Sequence, residues 1–371
     1  MNRYSVIPTI YSQQEALRQL ENYEYKNALV VTDKVMREIG MVDKLIKVLE
    51  KKANNIEVFD EVLPDPSVAI VTKGMEEYLK SEPDLVVALG GGSVIDTAKA
   101  IMYSIYKSCG KENFVKPVFA AIPTTSGTGS EVTSFSVIKM ESEKICLVDD
   151  WMCPDVAILD PEFVKSVPKN VTADTGMDAL VHALEAYVSP DANDFTDALA
   201  EKAVSLVFNY LLDAYRDGSC TVAREKMHNA SCMAGMAFTN AGLGINHSLA
   251  HALGALFHVP HGRANALLVT HVIQYNMADE RACSKYAKLA RMMRIEGRND
   301  IESTNNLIKA IMVLKKEMNM PKSIMSTGVK KEDFANKLDQ LSRTALKDSC
   351  TLTNPKQPKA EDLKKIYTEA F

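Results

Sequence analysis

The stretch Asp84-Leu85-Val86-Val87-Ala88-Leu89-Gly90-Gly91-Gly92-Ser93 runs from an apolar segment directly into three glycines. An unbroken apolar run such as Leu85 to Leu89 is typical of a strand buried on both faces of a parallel sheet. The glycines let the backbone approach an anionic ligand, and a helix predicted from Val94 to about Tyr106 would offer N–H groups at its start. Ser93 and Asp96 have the spacing of a capping box. This pattern predicts a strand, a diphosphate-binding turn and a helix, although a plain tight turn would also explain the glycines.

Strand-like and helix-like patterns alternate on both sides of this stretch. Further strands are predicted at 28–32, 56–59, 118–123 and 156–161, and helices at 35–52 and 68–80. Such alternation indicates an α/β domain with a parallel sheet covered by helices.

After Pro168 the strand patterns end and segments rich in Ala, Leu, Met, Lys and Glu follow. This composition predicts an all-helical second half. Helices are expected at 173–188, 195–216, 222–238, 245–257, 280–294, 301–318, 331–346 and 360–369. We therefore predict two domains, 1–168 (α/β) and 169–371 (all-helical).

Composition limits the class of protein. The 371 residues carry a net charge of -5, with 46% hydrophobic and 25% charged residues, which gives no attraction for nucleic acid. No apolar run is long enough to span a membrane, and the N-terminus lacks a signal-peptide core, so we expect a cytoplasmic protein. Seven scattered cysteines without a Cys-x-x-Cys pair do not predict a disulfide framework or a thiolate zinc site. The expected partner is a small molecule.

A second loop, Thr124 to Ser130, also follows a predicted buried strand and contains hydroxyl residues and glycines. Two such loops at one sheet edge favour a dinucleotide. Asp33 ends another strand, where a carboxylate can bind the ribose hydroxyls and repel a 2′-phosphate, which favours NAD over NADP. The alternative is that Asp33 only caps the following helix.

Histidines cluster in the second half, where 244–262 holds four of the seven in the chain. Asp178 and His182 are four residues apart on a predicted helix, so they face the same way. Together with His247 and His261 they offer one carboxylate and three imidazoles, a set that suits ferrous iron or zinc better than magnesium or calcium. The alternative is a group of ordinary core or surface histidines.

A metal beside a nicotinamide has a direct chemical meaning. The ion can polarise an alcohol or carbonyl oxygen while the cofactor exchanges hydride with the carbon. His251, four residues after His247, is the predicted catalytic residue that relays the alcohol proton to solvent. Simple support of the neighbouring ligands is the alternative role.

These residues resemble a known family along nearly the whole chain. The motifs are Gly90-Gly91-Gly92-Ser93-x-x-Asp96, Pro123 to Glu131, Asp178-x-x-x-His182, and His247-x-x-x-His251 through His261-Gly262. Jointly they resemble the iron-containing (group III) alcohol dehydrogenases. Gly176 to Asp178 and Ser189 to Ala203 look most similar to the propanol dehydrogenases of propanediol-utilisation clusters.

The resemblance implies a dehydroquinate-synthase-like fold, with a Rossmann-like nucleotide domain followed by a helical metal domain. It implies Fe²⁺ or Zn²⁺ bound by Asp178, His182, His247 and His261. It also implies a cofactor site for NAD(H), lined by Asp33, Asp65, Gly91, Gly92, Ser93, Thr124, Thr125, Thr128 and Lys144. The expected reaction is reduction of a short-chain aldehyde such as propionaldehyde to 1-propanol. A homodimer or larger homo-oligomer is expected, with a cytoplasmic location that extends to neighbours inside a bacterial microcompartment.

Three positions depart from the family pattern. Asp65 stands where asparagine is common, Thr270 where proline is usual, and Arg263 where the residue is usually small or apolar. An Arg263 that faces the substrate would indicate a small anionic aldehyde, such as a sulfo- or carboxy-aldehyde; an arginine turned to solvent or paired elsewhere would not. A lyase of the dehydroquinate-synthase kind is the rival in another class, but it needs a pocket rich in lysine and arginine, and 244–263 has only Arg263.

Overall fold

The computed structural model describes residues 4–109, 115–140 and 143–371, and for residues 143 and 144 it describes the backbone only. The chain divides into two units. One is Val6–Val167, and the other is Pro168–Phe371 together with Tyr4 and Ser5.

The first unit contains the strands. Their bounds are β1 (Thr9–Ser12), β2 (Asn27–Val31), β3 (Asn55–Phe59), β4 (Leu85–Gly90), β5 (Val118–Pro123), β6 (Phe135–Met140), β7 (Glu143–Val148) and β8 (Val156–Leu159). Six of them form a parallel sheet in the order β1-β8-β5-β4-β2-β3. Every residue of β4 is buried, as expected for a strand that is covered by helices on both faces. The sequence patterns did not predict β1 or the antiparallel hairpin of β6 and β7.

The helices of this unit are α1 (Lys34–Glu38), α2 (Met41–Leu49), α3 (Val68–Ser81) and α4 (Gly92–Cys109). The single helix predicted over 35–52 is wrong, because the chain forms α1 and α2 instead. Gly40 separates them with a φ of 75°, a left-handed conformation that glycine adopts without steric cost.

The predicted capping box between Ser93 and Asp96 is also wrong. α4 already begins before Ser93, and the Asp96 carboxylate accepts hydrogen bonds from Ser130 Oγ at 2.6 Å and from the Val137 N–H at 3.0 Å. The buried Lys99 ammonium donates to the Ser130 carbonyl at 2.7 Å. α4 is thereby tied to the segment that follows the second glycine-containing loop.

The second unit is helical. Its helices are α5 (Lys169–Val188), α6 (Asp194–Arg216), α7 (Thr221–Ala241), α8 (Ile245–Phe257), α9 (His261–Asn276), α10 (Glu280–Met292), α11 (Asp300–Glu317), α12 (Lys331–Lys347) and α13 (Ala360–Ala370). Only α9 was not predicted. Pro260 separates α8 from α9; it stands immediately before α9 with a φ of -53°, and proline is well tolerated where a helix starts.

α5 lies at the centre of this unit, since every residue from Gly176 to Val188 is buried. A helix surrounded on all sides can present polar side chains only to other protein groups or to a bound ligand. Within 4–109, 115–140 and 143–371, no helix has both the length and the apolar character needed to cross a membrane. The predicted fold class, an α/β part followed by an all-helical part, is confirmed.

Candidate active site

The four predicted metal ligands lie together in the helical unit. Asp178 and His182 project from α5, His247 from α8, and His261 is the first residue of α9. Each offers one ligand atom, and these atoms all lie within 4.8 Å of one another. The side chain of His261 is 41% exposed, whereas Asp178, His182 and His247 are buried, so the group is open to ligands on one side.

The amide nitrogen of Asn265 marks the point where three of these side chains converge. It donates to Asp178 Oδ1 at 2.6 Å and lies 3.2 Å from Nε2 of both His247 and His261. Asn265 Oδ1 accepts a hydrogen bond from Asn246 Nδ2 at 2.8 Å, which fixes the orientation of the amide. Asp178 Oδ1 and the Nε2 atoms of His247 and His261 therefore face a common region beside Asn265.

Burial adjusts the protonation of these groups. It lowers the pKa of His247, and the neighbouring His261 and His251 lower it further. The neutral imidazole is the form that binds a metal ion, so His247 does not need to lose a proton first. Burial raises the pKa of Asp178, which makes a nearby cation the natural partner for its charged form.

The donor set fits a divalent ion of intermediate softness. Three imidazole nitrogens and one carboxylate suit ferrous iron or zinc, whereas calcium and magnesium prefer oxygen ligands. The ligand atoms of the four residues lie within 4.8 Å of one another, so the residues present fit such an ion.

The carboxyl ends of β2 and β4 lie at a switch point of the strand order. The chain continues from β2 to β3 in one direction and from β4 to β5 in the opposite direction. Open parallel sheets bind ligands outside the carboxyl ends of strands at such a point. The two strand ends are joined there, because Thr32 Oγ1 donates to the Leu89 carbonyl at 2.7 Å. The residues that follow are Asp33 and Gly90.

The two glycine-containing loops pack against each other. The Thr124 N–H donates to the Gly90 carbonyl at 3.0 Å. A Cβ atom at Gly92 would lie 2.9 Å from Thr128 Cγ2, so only glycine fits there without a shift. The structure thus brings together the predicted cofactor residues of both loops, namely Gly91, Gly92, Ser93, Thr124, Thr125 and Thr128.

The remaining predicted cofactor residues, Asp33, Asp65 and Lys144, lie outside these two loops. Asp33 caps α1, since its Oδ1 accepts from the Met36 N–H at 3.0 Å. Asp65 has a φ of 55°, in the left-handed region that aspartate and asparagine tolerate better than most residues. Lys144 lies on β7, but its side chain is outside the described part of the chain.

Comparison with known proteins identifies the family. A model of the family described as iron-containing alcohol dehydrogenase matches residues 8–161. A second model, described as the C-terminal part of the Fe-containing alcohol dehydrogenase family, matches residues 172–371. The chain belongs to the iron-containing alcohol dehydrogenase family.

Individual relatives agree with this membership. The chain is 44% identical to 1-propanol dehydrogenase PduQ of Salmonella typhimurium over 100% of both proteins. It is 41% identical to an NADPH-dependent butanol dehydrogenase of Clostridium saccharobutylicum, over 99% of this chain and 97% of that protein. The predicted relationship to the iron-containing alcohol dehydrogenases, and to propanol dehydrogenases among them, is confirmed.

Solved structures share the fold. A 1,3-propanediol oxidoreductase superposes with a TM-score of 0.92 at 36% identity, over 100% of both chains. A sulfoacetaldehyde reductase from Bifidobacterium kashiwanohense, solved in complex with NAD+, gives a TM-score of 0.87 at 28% identity, over 100% of this chain and 98% of that one. The predicted group III alcohol dehydrogenase fold is thus confirmed.

The sequence patterns missed a partner of His251 in this iron-containing alcohol dehydrogenase. Asp348, 97 residues away, places its Oδ2 2.9 Å from His251 Nδ1. Burial alone would raise the pKa of Asp348, but the hydrogen bond with His251 and the Cys350 N–H hold it below its usual range. The imidazole of His251 is therefore oriented by a charged carboxylate, with Nε2 left for other contacts. No periodicity or motif links the two positions in the sequence.

Two more polar residues of this alcohol dehydrogenase surround the ligand group. Glu185 on α5 contacts His247; burial raises the pKa of its carboxyl, whereas the N–H groups of Asn246 and His247 lower it and so favour the charged form. Its position three residues after His182 could have identified it, because that spacing keeps it on the same face of the helix. Asn265 follows His261 by four residues, which places the two side chains on the same face of α9. This spacing did not identify Asn265 from the sequence, because α9 was not predicted.

Arg263 forms an ion pair with Asp174. Its guanidinium donates to Asp174 through Nη2 at 2.9 Å and Nε at 3.3 Å. Asp174 lies one turn before Asp178 on α5, and burial raises its pKa while Arg263 lowers it. The arginine therefore joins α9 to α5 and has its charge balanced within the protein.

Proposed function

We propose that this alcohol dehydrogenase is metal-dependent and uses NAD(H) to reduce a short-chain aldehyde, with propionaldehyde and 1-propanol as the substrate pair. One observation carries the proposal: in a member of the iron-containing family, ligand atoms of Asp178, His182, His247 and His261 lie within 4.8 Å of one another. The propanol and butanol dehydrogenases among its relatives support the substrate class.

These four side chains would hold Fe²⁺ or Zn²⁺. When bound, the ion polarises the oxygen of the aldehyde or alcohol, and the reduced nicotinamide supplies the hydride. Asp178 would provide the negative charge that retains the cation, and the three histidines would bind it through imidazole nitrogens. His251 is the proposed proton relay: Asp348 holds its Nδ1 side, so Nε2 is the nitrogen that can exchange a proton.

The sheet unit would bind the cofactor. We assign the diphosphate to the paired loops, whose proposed contacts are Gly91, Gly92, Ser93, Thr124, Thr125 and Thr128. α4 begins at Gly92, and the N-terminus of a helix favours negative charge. Asp33 would bind the ribose hydroxyls, and Asp65 and Lys144 are further proposed contacts from the family motif.

The alternatives find less support. A small anionic aldehyde would need a free cation, but Arg263 is already paired with Asp174. A lyase of the dehydroquinate-synthase kind would need several free cationic side chains in its pocket, and Arg263 is the only lysine or arginine in 244–263. Neutral aldehydes are thus the substrates that these residues favour.

A panel of aldehydes tests the proposal. After removal of metal by chelation, reduction of propionaldehyde with NADH is expected to stop and to return on addition of Fe²⁺ or Zn²⁺. Neutral short-chain aldehydes should be reduced with higher kcat/KM than sulfoacetaldehyde, because the arginine charge is taken up by Asp174. Full activity in protein shown by metal analysis to hold no ion would overturn the metal assignment.

Replacement of Asp33 by serine tests the cofactor preference. Serine can still cap α1 through the Met36 N–H but carries no charge to repel a 2′-phosphate. We expect the kcat/KM ratio of NADPH to NADH to rise by roughly tenfold, which corresponds to about 1.4 kcal/mol, with little change in Tm. An unchanged ratio would mean that Asp33 serves only as the helix cap. Both cofactors are named among similar proteins, since the butanol dehydrogenase is NADPH-dependent and the sulfoacetaldehyde reductase was solved with NAD+.

Three expectations stay predictions. They are the division into a cofactor domain (1–168) and a metal domain (169–371), the homodimer or larger homo-oligomer, and the cytoplasmic location with its microcompartment neighbours. Size-exclusion chromatography with light scattering would measure the oligomeric state directly.

A further inference from the structure

Glu185 is a buried carboxylate beside the proposed metal ligands. It is 4% exposed and lies on α5, three residues after His182. Its Oε2 is hydrogen-bonded to Nδ1 of His247, and its Oε1 accepts the N–H groups of Asn246 at 2.6 Å and of His247 at 3.4 Å. One carboxylate thus contacts both the backbone and the ring of a proposed ligand.

The start of α8 holds this carboxylate in place. Gly244, the residue before the helix, has no side chain that could cap it. Glu185 on α5 instead accepts hydrogen bonds from N–H groups in the first turn of α8. A Cβ atom at Gly244 would lie only 2.8 Å from Glu185 Oε1, so the glycine allows the close approach. Glu185 is therefore fixed between α5 and α8.

The hydrogen bonds of His247 determine which ring nitrogen carries the proton. The Asn265 amide nitrogen lies 3.2 Å from Nε2 and carries only hydrogens, so a proton on Nε2 would face another N–H donor without an acceptor between them. A neutral imidazole has one proton, which then belongs on Nδ1, facing Glu185. The lone pair of Nε2 then lies on the side of the ring that faces Asp178, whose Oδ1 is 3.8 Å from Nε2.

We propose that Glu185 is a positioning residue, which holds His247 as the Nδ1–H tautomer and so presents Nε2 to the catalytic ion. The inference rests on the proposed metal site. Carboxylates that accept the second N–H of a ligating histidine fix its ring and raise its basicity, and their loss typically costs about 10–100-fold in metal affinity.

The Glu185→Gln variant tests this role by metal affinity. If the glutamine oxygen still accepts the Asn246 N–H, the glutamine NH2 group faces Nδ1 of His247. Nδ1 must then be an acceptor, so the ring proton moves to Nε2, the nitrogen that would bind the ion. We expect competition with a chelator to show Zn²⁺ or Fe²⁺ affinity lowered about 10–100-fold. The matched control is Glu201→Gln on α6, whose carboxylate accepts from the Tyr187 hydroxyl at 2.6 Å, and it should keep wild-type affinity.

Thermal unfolding separates positioning from simple helix capping. If Glu185 only caps α8, Glu185→Gln would lower the Tm of the metal-free protein and leave metal affinity at the wild-type value, which overturns the inference. A wild type that binds no stoichiometric ion overturns the proposed function itself. Wild-type binding together with equal binding by Glu185→Gln overturns only the role of Glu185.

The tautomer can also be measured without a mutation at 185. In metal-free, full-length protein with ¹⁵N-labelled histidine, NMR shifts distinguish Nδ1–H from Nε2–H rings, and His247→Gln identifies the signal. We expect His247 to be the Nδ1–H form. A proton on Nε2 would contradict the inference even if Glu185→Gln failed to fold.

Discussion

Replacement of Asp178 by asparagine is expected to lower kcat/KM for propionaldehyde by about 10³-fold and to yield protein with little bound metal. Asparagine has nearly the same shape and can still accept the hydrogen bond from Asn265 Nδ2, so packing should be kept. What disappears is the only negative charge in the ligand set. Loss of a polarising ion removes several kcal/mol of transition-state stabilisation, and each 1.36 kcal/mol is about tenfold in rate.

Asp174→Asn provides the comparison, since it removes a carboxylate one turn earlier on the same helix. That carboxylate pairs with Arg263 and is not among the proposed ligands. Metal content by elemental analysis, kcat/KM and Tm should be measured for both variants. If Asp178→Asn retained full metal content and activity, the proposed ligand set would be wrong.

The second large effect is expected for Gly262→Ala. A Cβ atom there would lie 2.2 Å from the backbone oxygen of Asp174 and 3.3 Å from Cβ of Asp178. Backbone cannot yield as a flexible side chain does, so α9 and α5 would have to separate, and with them His261 and Asp178. We expect unfolding free energy to fall by about 1–3 kcal/mol, which lowers Tm by roughly 2–12 °C, and metal affinity to fall as well.

Gly254→Ala on α8 is the matched control, because the new methyl group would meet only the Val259 oxygen, at 3.3 Å. Alanine also favours the helix over glycine by about 1 kcal/mol. Differential scanning calorimetry of metal-free and metal-loaded protein compares the variants. A Gly262→Ala protein as stable and as tightly metal-bound as wild type would show that α5 and α9 are less closely packed than described.

The sequence predicted the parts of this protein that depend on local patterns. Buried strands such as β4 were predicted from continuous apolar runs, and the helix α8 from its spacing. The grouping of Asp178, His182, His247 and His261 was predicted because histidines are few and four lie in one short segment. These signals are contained within a few residues of the chain.

Features that depend on contacts between distant segments were not predictable in this way. The predicted capping box was wrong because the Asp96 carboxylate accepts hydrogen bonds from Ser130 Oγ and the Val137 N–H. Both partners are distant in the sequence, so a local rule does not include them. Asp348 reaches His251 across 97 residues, and only the packed fold brings the two together. The same is true of Arg263, whose partner Asp174 lies on another helix.

The proposed metal ligands come from three helices, α5, α8 and α9, and this has a consequence for the lifetime of the protein in the cell. An ion that binds these helices only when they are assembled shifts the folding equilibrium by mass action, by about 2.7 kcal/mol at a hundredfold excess over its Kd. When iron is scarce, more chains would therefore populate unfolded forms that proteases degrade. Metal supply would then set the abundance of the enzyme as well as its turnover.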